Sequence, residues 1–259
     1  MNTTINAYGA PELYLDLLKR TLTNTLFSKE PNPEDSPAQY WSGFIAHYIQ
    51  GSAISMLPLS RFDQLQACIS SVLRDQVPGD FIETGVWRGG ATIFMRGVLK
   101  AYDINDRHVW VADSFEGLPK PDADRFPAEA RAHGSQVMTD VMKHLAVGEE
   151  EVKQNFKAFG LLDERVCFLK GWFKDTLPTA PISNLAVMRL DGDYYESTLD
   201  SLTNLYDKLS VGGYVIIDDY GEDTWTYCRK AVDEFREARG IRESLIRVDP
   251  SCYYWRRER

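Results

Sequence analysis

Several features that mark common protein classes are missing from this 259-residue sequence. It contains four cysteines and four histidines, but neither the CxxC nor the HxxxH spacing that is typical of zinc sites. No apolar run approaches the roughly 18 residues that a membrane-spanning helix needs. The N-terminus has neither the basic block nor the apolar block of a signal peptide. We therefore expect a cytoplasmic protein with reduced thiols and no membrane partner.

Positive charge is also scarce. The 29 lysines and arginines stand against 38 acidic residues, which gives a net charge of −9. A protein that binds nucleic acid usually carries a basic patch, so we expect no nucleic-acid partner. The hydrophobic fraction of 44% and the aromatic fraction of 12% are enough for a sizeable core, and they argue against a disordered chain.

The hydrophobic pattern divides the chain into two regions. Residues 1–77 are predicted to be a helical N-terminal extension, because apolar residues recur at helical spacing in two segments. These residues are Leu13, Leu17, Leu18 and Leu22 in the first segment, and Phe62, Leu65, Ile69 and Val72 in the second. A stretch rich in proline and charge, residues 28–37, separates the two segments and is predicted to be a mobile loop.

From residue 78 to residue 259, short apolar strands alternate with helices. The predicted strands are 80–84, 108–113, 166–169, 185–190 and 213–217, and the predicted helices are 89–102, 150–160, 195–208 and 225–239. This alternation predicts an α/β domain with a doubly wound, mainly parallel sheet. Segments 244–248 and 252–255 predict a C-terminal antiparallel hairpin. Residues 119–148 do not fit the alternation and are predicted to form a lid-like insertion.

The first predicted strand runs into a glycine-containing turn, Glu83 to Gly90. Glycines at the end of a strand let a ligand approach the backbone, and the following helix offers free N–H groups. The bulky Trp87 makes this turn unlike the dinucleotide-binding GxGxxG motif. Glu83 repels phosphate but suits a positive group, such as the ammonium of a methionine moiety. The alternative interpretation is an ordinary connection between a strand and a helix.

Two further strand ends carry candidate nucleotide contacts. Asp113 ends the second strand, where an acidic side chain can accept both hydroxyls of a ribose. Trp172 and Phe173 follow the third strand and can enclose an adenine ring. The alternatives are that Asp113 caps a helix or a turn, and that the two aromatic residues belong to the core.

Acidic clusters follow the fourth and fifth strands. The pair Asp191 and Asp193 follows one strand, and the pair Asp218 and Asp219 follows the next. Neighbouring parallel strands bring these ends together, and several carboxylates cannot all ionise there without a compensating cation. Oxygen ligands of this kind suit Mg²⁺, Mn²⁺ or Ca²⁺ rather than zinc. The alternative is that Asp193 and one of the second pair are helix N-caps.

Five segments in a fixed order make the sequence resemble the macrocin O-methyltransferase family. They are FIETGVWRGG, VWVADSFEGLP, GWFKDTLP, LAVMRLDGD and GGYVIIDDY, within residues 78–257, and the segment LYLDLLKRTL near the N-terminus adds to them. The resemblance implies a Rossmann-like class I methyltransferase fold that uses S-adenosylmethionine and Mg²⁺ (or Mn²⁺). It implies methylation of a sugar hydroxyl on a macrolide, an aminocoumarin or another glycosylated small molecule, by a homo-oligomer.

The resemblance also assigns roles to residues of this sequence. It implies that Asp191, Asp218 and Asp219 are the metal ligands and that Asp191 is also the general base. Together with the strand-end reasoning, it gives the candidate cofactor-binding residues as Glu83, Thr84, Gly85, Val86, Trp87, Arg88, Asp113, Ser114, Phe115, Trp172 and Phe173.

The sequence leaves the acceptor open. Residues 28–60, 119–148 and 221–227 differ from the antibiotic-tailoring members of the family, and these regions are expected to shape the acceptor pocket. A metal-dependent methyltransferase acting on a catechol or another phenol would use the same cofactor and metal residues. A nucleotide-binding protein without catalytic activity is a further alternative. An NAD-dependent oxidoreductase is disfavoured, because the glycine turn is wrong for that cofactor.

Overall fold

A seven-stranded sheet forms the centre of the molecule in our computed structural model, which describes residues 9–32, 34–221 and 226–259. The strand order is β3-β2-β1-β4-β5-β7-β6. The strands are β1 Asp80–Thr84, β2 Val109–Asp113, β3 Val166–Lys170, β4 Leu185–Leu190, β5 Leu209–Ile217, β6 Ile246–Arg247 and β7 Tyr253–Arg256. Neighbouring strands among β1 to β5 pair in parallel, while β7 runs antiparallel to both β5 and β6. The predicted doubly wound sheet and C-terminal hairpin are confirmed.

Helices cover the sheet, and most of them lie where the hydrophobic pattern predicts them. They are α1 Ala10–Leu22, α2 Pro37–Phe44, α3 Leu59–Arg74, α4 Gly90–Ala101, α5 Pro127–His133, α6 Gln136–Leu145, α7 Glu149–Ala158, α8 Phe173–Thr176, α9 Tyr195–Leu205 and α10 Thr226–Ala238. A π-helical turn, Ile45–Ile49, continues α2. The predicted start of the last helix at residue 225 lies outside the described residues. No helix among the described residues is long and apolar enough to cross a membrane.

The N-terminal helices share one hydrophobic core with the sheet. Leu18 of α1 and Phe62 of α3 belong to the same buried cluster as Phe81 of β1. Helix α1 is confirmed, but Leu13 and Leu17 of the predicted apolar stripe are 60% and 53% exposed and do not belong to its buried face. The helix presents its Leu15, Leu18 and Leu22 face to the core instead, because one helix face is wide enough for only part of a leucine-rich segment.

Strand β5 begins earlier than predicted. It starts at Leu209, which pairs with Leu185, and the pairing shifts before Tyr214 joins Val187. Gly212 has a φ of +89° in this stretch, a conformation that favours glycine. Gly213, at which the sequence predicts the start of the strand, and the preceding Gly212 therefore lie in an irregular, bulged part of a longer strand.

The insertion after β2 is folded. It holds the two short helices α5 and α6. The buried Glu129 of α5 accepts the backbone N–H of Tyr195 at 3.1 Å, and His133 Nδ1 lies 2.9 Å from the Tyr194 hydroxyl. The insertion is thereby attached to the start of α9, next to the carboxyl end of β4.

The chain order fixes where a ligand can bind. From β1 the chain continues outward to β2 and β3, and it then returns to β4 on the other side of β1. In open α/β sheets, ligands bind outside the carboxyl ends of the strands at such a reversal point. The topology therefore predicts a ligand site between the carboxyl ends of β1 and β4.

Candidate active site

The glycine turn after β1 lies directly against the end of β4. Gly85 has a φ of +88°, and a Cβ atom placed on it would lie 1.8 Å from the backbone oxygen of Asp191. Trp87, two residues on, also has a positive φ, +47°, which is unusual for a bulky side chain. This turn therefore needs glycine at position 85, and its backbone forms one edge of the crevice.

Asp113 is fixed beside this turn by two backbone hydrogen bonds. Its carboxylate accepts the N–H of Val86 at 2.8 Å and the N–H of Phe115 at 2.7 Å. Burial raises the pKa of Asp113, and the two backbone donors oppose that rise. The side chain therefore links the end of β2 to the turn after β1, which is where the sequence predicts a ribose contact.

A cavity of about 450 Å³ begins at these residues, a size that is typical of small-molecule sites. Seven of the predicted residues line it: Gly85, Trp87, Asp113, Ser114, Trp172, Phe173 and Asp191. It continues along Met56, Leu118 and Leu145 and ends at Asp193. The other predicted cofactor residues, Glu83, Thr84, Val86, Arg88 and Phe115, do not line it.

Trp87 and Arg88 attach two covering segments to the turn. The Trp87 indole donates to the backbone oxygen of His144, at the end of the insertion, at 2.8 Å. The Arg88 guanidinium donates to the backbone oxygens of Ile49 at 3.2 Å and Ala53 at 2.7 Å. Arg88 thus holds the segment after α2 in place and does not face the large cavity.

Three carboxylates lie close together after β4 and β5, and Asp191 and Asp193 line the cavity, whereas Asp218 and Asp219 do not. One oxygen each from Asp191, Asp193 and Asp219 lies within 4.8 Å of the others. We call these three residues the acidic cluster. Asp193 has a φ of +57° and is not a helix cap, because the N-cap of α9 is Tyr194. The Asp219 Oδ2 atom is buried and has no hydrogen-bond partner among the described residues.

The electrostatics of the acidic cluster favour a bound cation. Burial raises the pKa of Asp191 to about 6, and the neighbouring Asp218 adds to that rise. Burial also raises the pKa values of Asp193 and Asp219 well above their usual range, and the nearby carboxylates raise them further. Three oxygen donors that repel one another in a buried site match the ligand chemistry of a hard divalent cation.

Asp218, which the sequence also offered as a ligand, is directed elsewhere. Its Oδ2 accepts from Arg61 at 2.6 Å, and its Oδ1 accepts from Arg189. Burial alone would raise the pKa of Asp218, but the two arginines outweigh burial and hold it below its usual value. The structure therefore brings Asp193, rather than Asp218, together with Asp191 and Asp219.

Sequence reasoning missed Arg189. It lies in β4 with a fully buried side chain and forms ion pairs with Glu83, with Asp191 at 3.0 Å and with Asp218. The signal was present, because an arginine inside the apolar strand LAVMRL must find charged partners when it is buried.

Glu83 is paired on one side only. Its Oε1 accepts from Arg189, whereas its Oε2 is buried without a partner among the described residues. Burial raises the pKa of Glu83 to about 8, although Arg189 opposes the rise. A small cavity lined by Glu83, Val86 and Trp87 lies beside it. Among the described residues, Glu83 thus keeps one carboxylate oxygen without a partner beside this small cavity.

Comparison with known proteins relates the chain to one family of enzymes. A model of the macrocin-O-methyltransferase (TylF) family matches residues 49–257. The mycinamicin III 3''-O-methyltransferase of Micromonospora griseorubida is 47% identical over 260 residues, covering 95% of this chain and 96% of that protein. The 8-demethyl-8-(2,3-dimethoxy-alpha-L-rhamnosyl)-tetracenomycin-C 4'-O-methyltransferase of Streptomyces olivaceus is also 47% identical, with coverages of 95% and 93%.

The fold has a close counterpart among solved structures. The O-methyltransferase NovP superimposes with a TM-score of 0.81 at 46% identity, covering 96% of this chain and 100% of that one. The predicted class I methyltransferase fold is thereby confirmed, and this fold uses S-adenosylmethionine as the methyl donor.

Proposed function

The chain belongs to the macrocin-O-methyltransferase family, and we propose that this O-methyltransferase methylates a sugar hydroxyl on a glycosylated small molecule. The observation that carries the proposal is one continuous cavity. It runs from the glycine turn and Asp113 to Asp191 and Asp193 of the acidic cluster. A methyl donor and an acceptor hydroxyl would share this single cavity, where their reacting atoms can be aligned.

The cofactor end offers three kinds of contact. We propose that the free oxygen of Glu83 receives the ammonium group of S-adenosylmethionine and that Asp113 receives the ribose hydroxyls. Trp172 and Phe173 line the same cavity and supply aromatic surface for the adenine. The backbone of the turn at Gly85 approaches closely enough to guide the methionine chain.

Loss of the ribose contact gives a measurable prediction. Asp113→Ala is expected to weaken S-adenosylhomocysteine binding by about 1–3 kcal/mol, the usual cost of losing hydrogen bonds to a charged group. Titration calorimetry measures it. The matched control is Asp80→Asn, because Asp80 also accepts a backbone N–H and an indole N–H but lies at the opposite end of β1. An Asp113→Ala protein that is folded and binds normally would remove Asp113 from the cofactor site.

The other end fits a divalent cation. We propose that Asp191, Asp193 and Asp219 hold Mg²⁺ or Mn²⁺, with Asp219 Oδ2, which has no partner in the described part of the chain, as one donor. The ion pairs of Asp218 with Arg61 and Arg189 favour Asp193 over Asp218 as the third carboxylate. When bound, such a cation lowers the pKa of a sugar hydroxyl and fixes its orientation.

Side chains of the protein itself can accept the proton of the acceptor hydroxyl and orient the groups that react. We propose that Asp191 accepts the proton of the attacking hydroxyl, because it is the residue of the acidic cluster that lines both the large cavity and the small cavity beside Glu83, and a positioned carboxylate can act as a general base. Arg189 contacts Asp191 Oδ2 at 3.0 Å and so holds the carboxylate in one direction. Leu145 of the insertion and Met56 of the segment after α2 line the same cavity.

The acceptor side of the cavity is partly apolar. Met56, Leu118, Pro119 and Leu145 line it, together with Lys120. This lining suits a sugar that is attached to an apolar aglycone. A relative named for methylation at a rhamnosyl tetracenomycin has an acceptor of this chemical class, which favours a glycoside over a free catechol.

A product assay tests the function directly. The protein is incubated with labelled S-adenosylmethionine, Mg²⁺ and two matched sets of acceptors, namely glycosides with a vicinal diol on the sugar, and catechols. We expect methyl transfer to the glycosides. Transfer to catechols alone would replace the proposed acceptor class, and cofactor binding without transfer to any acceptor would favour a non-catalytic protein. Homo-oligomerisation also stays a prediction, which sedimentation velocity checks.

A further inference from the structure

Arg61 of α3 is a buried cation that the proposed reaction does not use. Its side chain is 15% exposed. The Nη1 atom donates to Asp218 Oδ2 at 2.6 Å, and Nε donates to Asp249 Oδ2 at 2.5 Å. The Nη2 atom donates to Asp249 Oδ1 at 3.1 Å and to the Ser251 hydroxyl. One guanidinium therefore joins α3, the end of β5 and the turn before β7.

The contacts of Arg61 continue into the acidic cluster. Asp218 gives one oxygen to Arg61 and the other to Arg189. The opposite end of the Arg189 guanidinium contacts Asp191 Oδ2 at 3.0 Å. Opposite charges thus alternate without a break from Asp249 through Arg61, Asp218 and Arg189 to Asp191.

The rigid arginine side chains allow this row of charges to fix the orientation of the Asp191 carboxylate. A guanidinium is planar, so when Asp218 holds one end of Arg189, the direction of the other end is set as well. Asp218 itself has little freedom to rotate, because each of its oxygens faces a different arginine. Removing Arg61 would free one oxygen of Asp218, and Arg189 would then be held against Asp191 less firmly, by Glu83 and by an Asp218 side chain that can rotate. It would also leave Asp218 with one arginine instead of two to balance its charge.

We propose that Arg61 is a positioning residue for methyl transfer, which orients the Asp191 carboxylate in the acidic cluster through Asp218 and Arg189. The inference rests on the proposed function, because it takes Asp191 to be a ligand and a base. It also gives α3, in the predicted helical extension, a part in the active site.

The test compares two variants that keep most of the packing with one matched control. Arg61→Lys keeps the positive charge but loses the planar fork that reaches Asp218 and Asp249 together. Asp249→Asn leaves Arg61 in place and weakens its outer anchor, while the remaining side-chain oxygen can still accept the N–H groups of Ser251 and Cys252. Arg74→Met is the control, because Arg74 lies on the same helix with a side chain that is 72% exposed. Calorimetry measures the affinity of the cofactor-free protein for Mn²⁺ alone and, separately, for S-adenosylhomocysteine.

We expect Arg61→Lys to lower Mn²⁺ affinity and kcat by about 10–100-fold each, the usual cost of losing a group that orients a ligating carboxylate. Asp249→Asn is expected to change both quantities in the same direction but less. Affinity for S-adenosylhomocysteine is expected to change much less than affinity for Mn²⁺ in both variants, because Asp113 keeps its backbone contacts and Glu83 keeps its own ion pair with Arg189. Arg74→Met is expected to match the parent protein.

Three outcomes would overturn the proposal. The first is an Arg61→Lys protein that binds Mn²⁺ and turns over like Arg74→Met. The second is a lower melting temperature with unchanged Mn²⁺ affinity and kcat, which is the result of a purely structural role. The third applies if Arg61→Lys does not fold, and it is an Asp249→Asn protein whose Mn²⁺ affinity and kcat equal those of the parent protein. A parent protein that binds no Mn²⁺ and ignores chelators would instead contradict the proposed metal site, a result that is distinct from these three.

Discussion

Exhaustive chelation with EDTA is expected to abolish methyl transfer, and added Mg²⁺ or Mn²⁺ is expected to restore it. The reason is the charge of the acidic cluster. Asp191, Asp193 and Asp219 lie within 4.8 Å of one another, and burial with mutual repulsion raises their pKa values. Without a cation the cluster takes up protons, and protonated carboxyl groups neither hold an acceptor diol nor accept its proton. Chromatography of the S-adenosylhomocysteine that is released measures the loss and the recovery of methyl transfer.

Binding of S-adenosylhomocysteine to the chelated protein is the control, and we expect it to persist because Asp113 and the glycine turn do not depend on the cation. Asparagine variants then identify the ligands. Asp193→Asn and Asp219→Asn are expected to raise the Mn²⁺ concentration for half-maximal activity more than Asp218→Asn does. The exposed Asp16 of α1 provides a neutral comparison as Asp16→Asn. Full activity after chelation would refute the metal site, and the reverse order of effects would assign Asp218 to it.

Replacing the proposed base is expected to have the second large effect. Asp191→Asn should lower kcat by about 10²-fold or more at saturating Mg²⁺, the scale of a lost general base. Asparagine keeps the size of the side chain and one oxygen that can accept from Arg189, but it loses the negative charge and the basicity. Single-turnover kinetics with saturating acceptor separate this loss from changes in binding.

Saturation with Mg²⁺ is essential, because Asp191 is also a proposed ligand and weaker metal binding would lower the rate by itself. Affinity for S-adenosylhomocysteine should stay close to that of the parent protein. An Asp191→Asn protein with a kcat within a few-fold of the parent would show that the proton leaves by another route. Asp193, whose carboxylate lies in the same cluster, would then be the next candidate for the base.

Much of the fold can be predicted from local patterns in the sequence. Short runs of apolar residues that alternate with amphipathic helices predict a parallel sheet, because the strands of a parallel sheet are buried on both faces. Once the sheet is parallel, the ends of its strands share one edge, and this is why the pair Asp191 and Asp193 was expected near the pair Asp218 and Asp219 from the sequence. The leucines of α1 mark the limit of this reasoning, because several helix faces of that segment are apolar and only packing selects the buried one.

The sequence by itself determined the element order, the parallel sheet and the edge at which its polar residues gather, because periodicity and strand ends are properties of short segments. Only the tertiary structure decided which carboxylates face one another. Consecutive residues at a strand end point to opposite faces, so Asp219 turns to the acidic cluster while Asp218 turns to the arginines. Arg61 and Asp249 are far apart in the chain yet share a hydrogen bond of 2.5 Å. Contacts of this kind form only when distant segments pack together, and no local pattern records them.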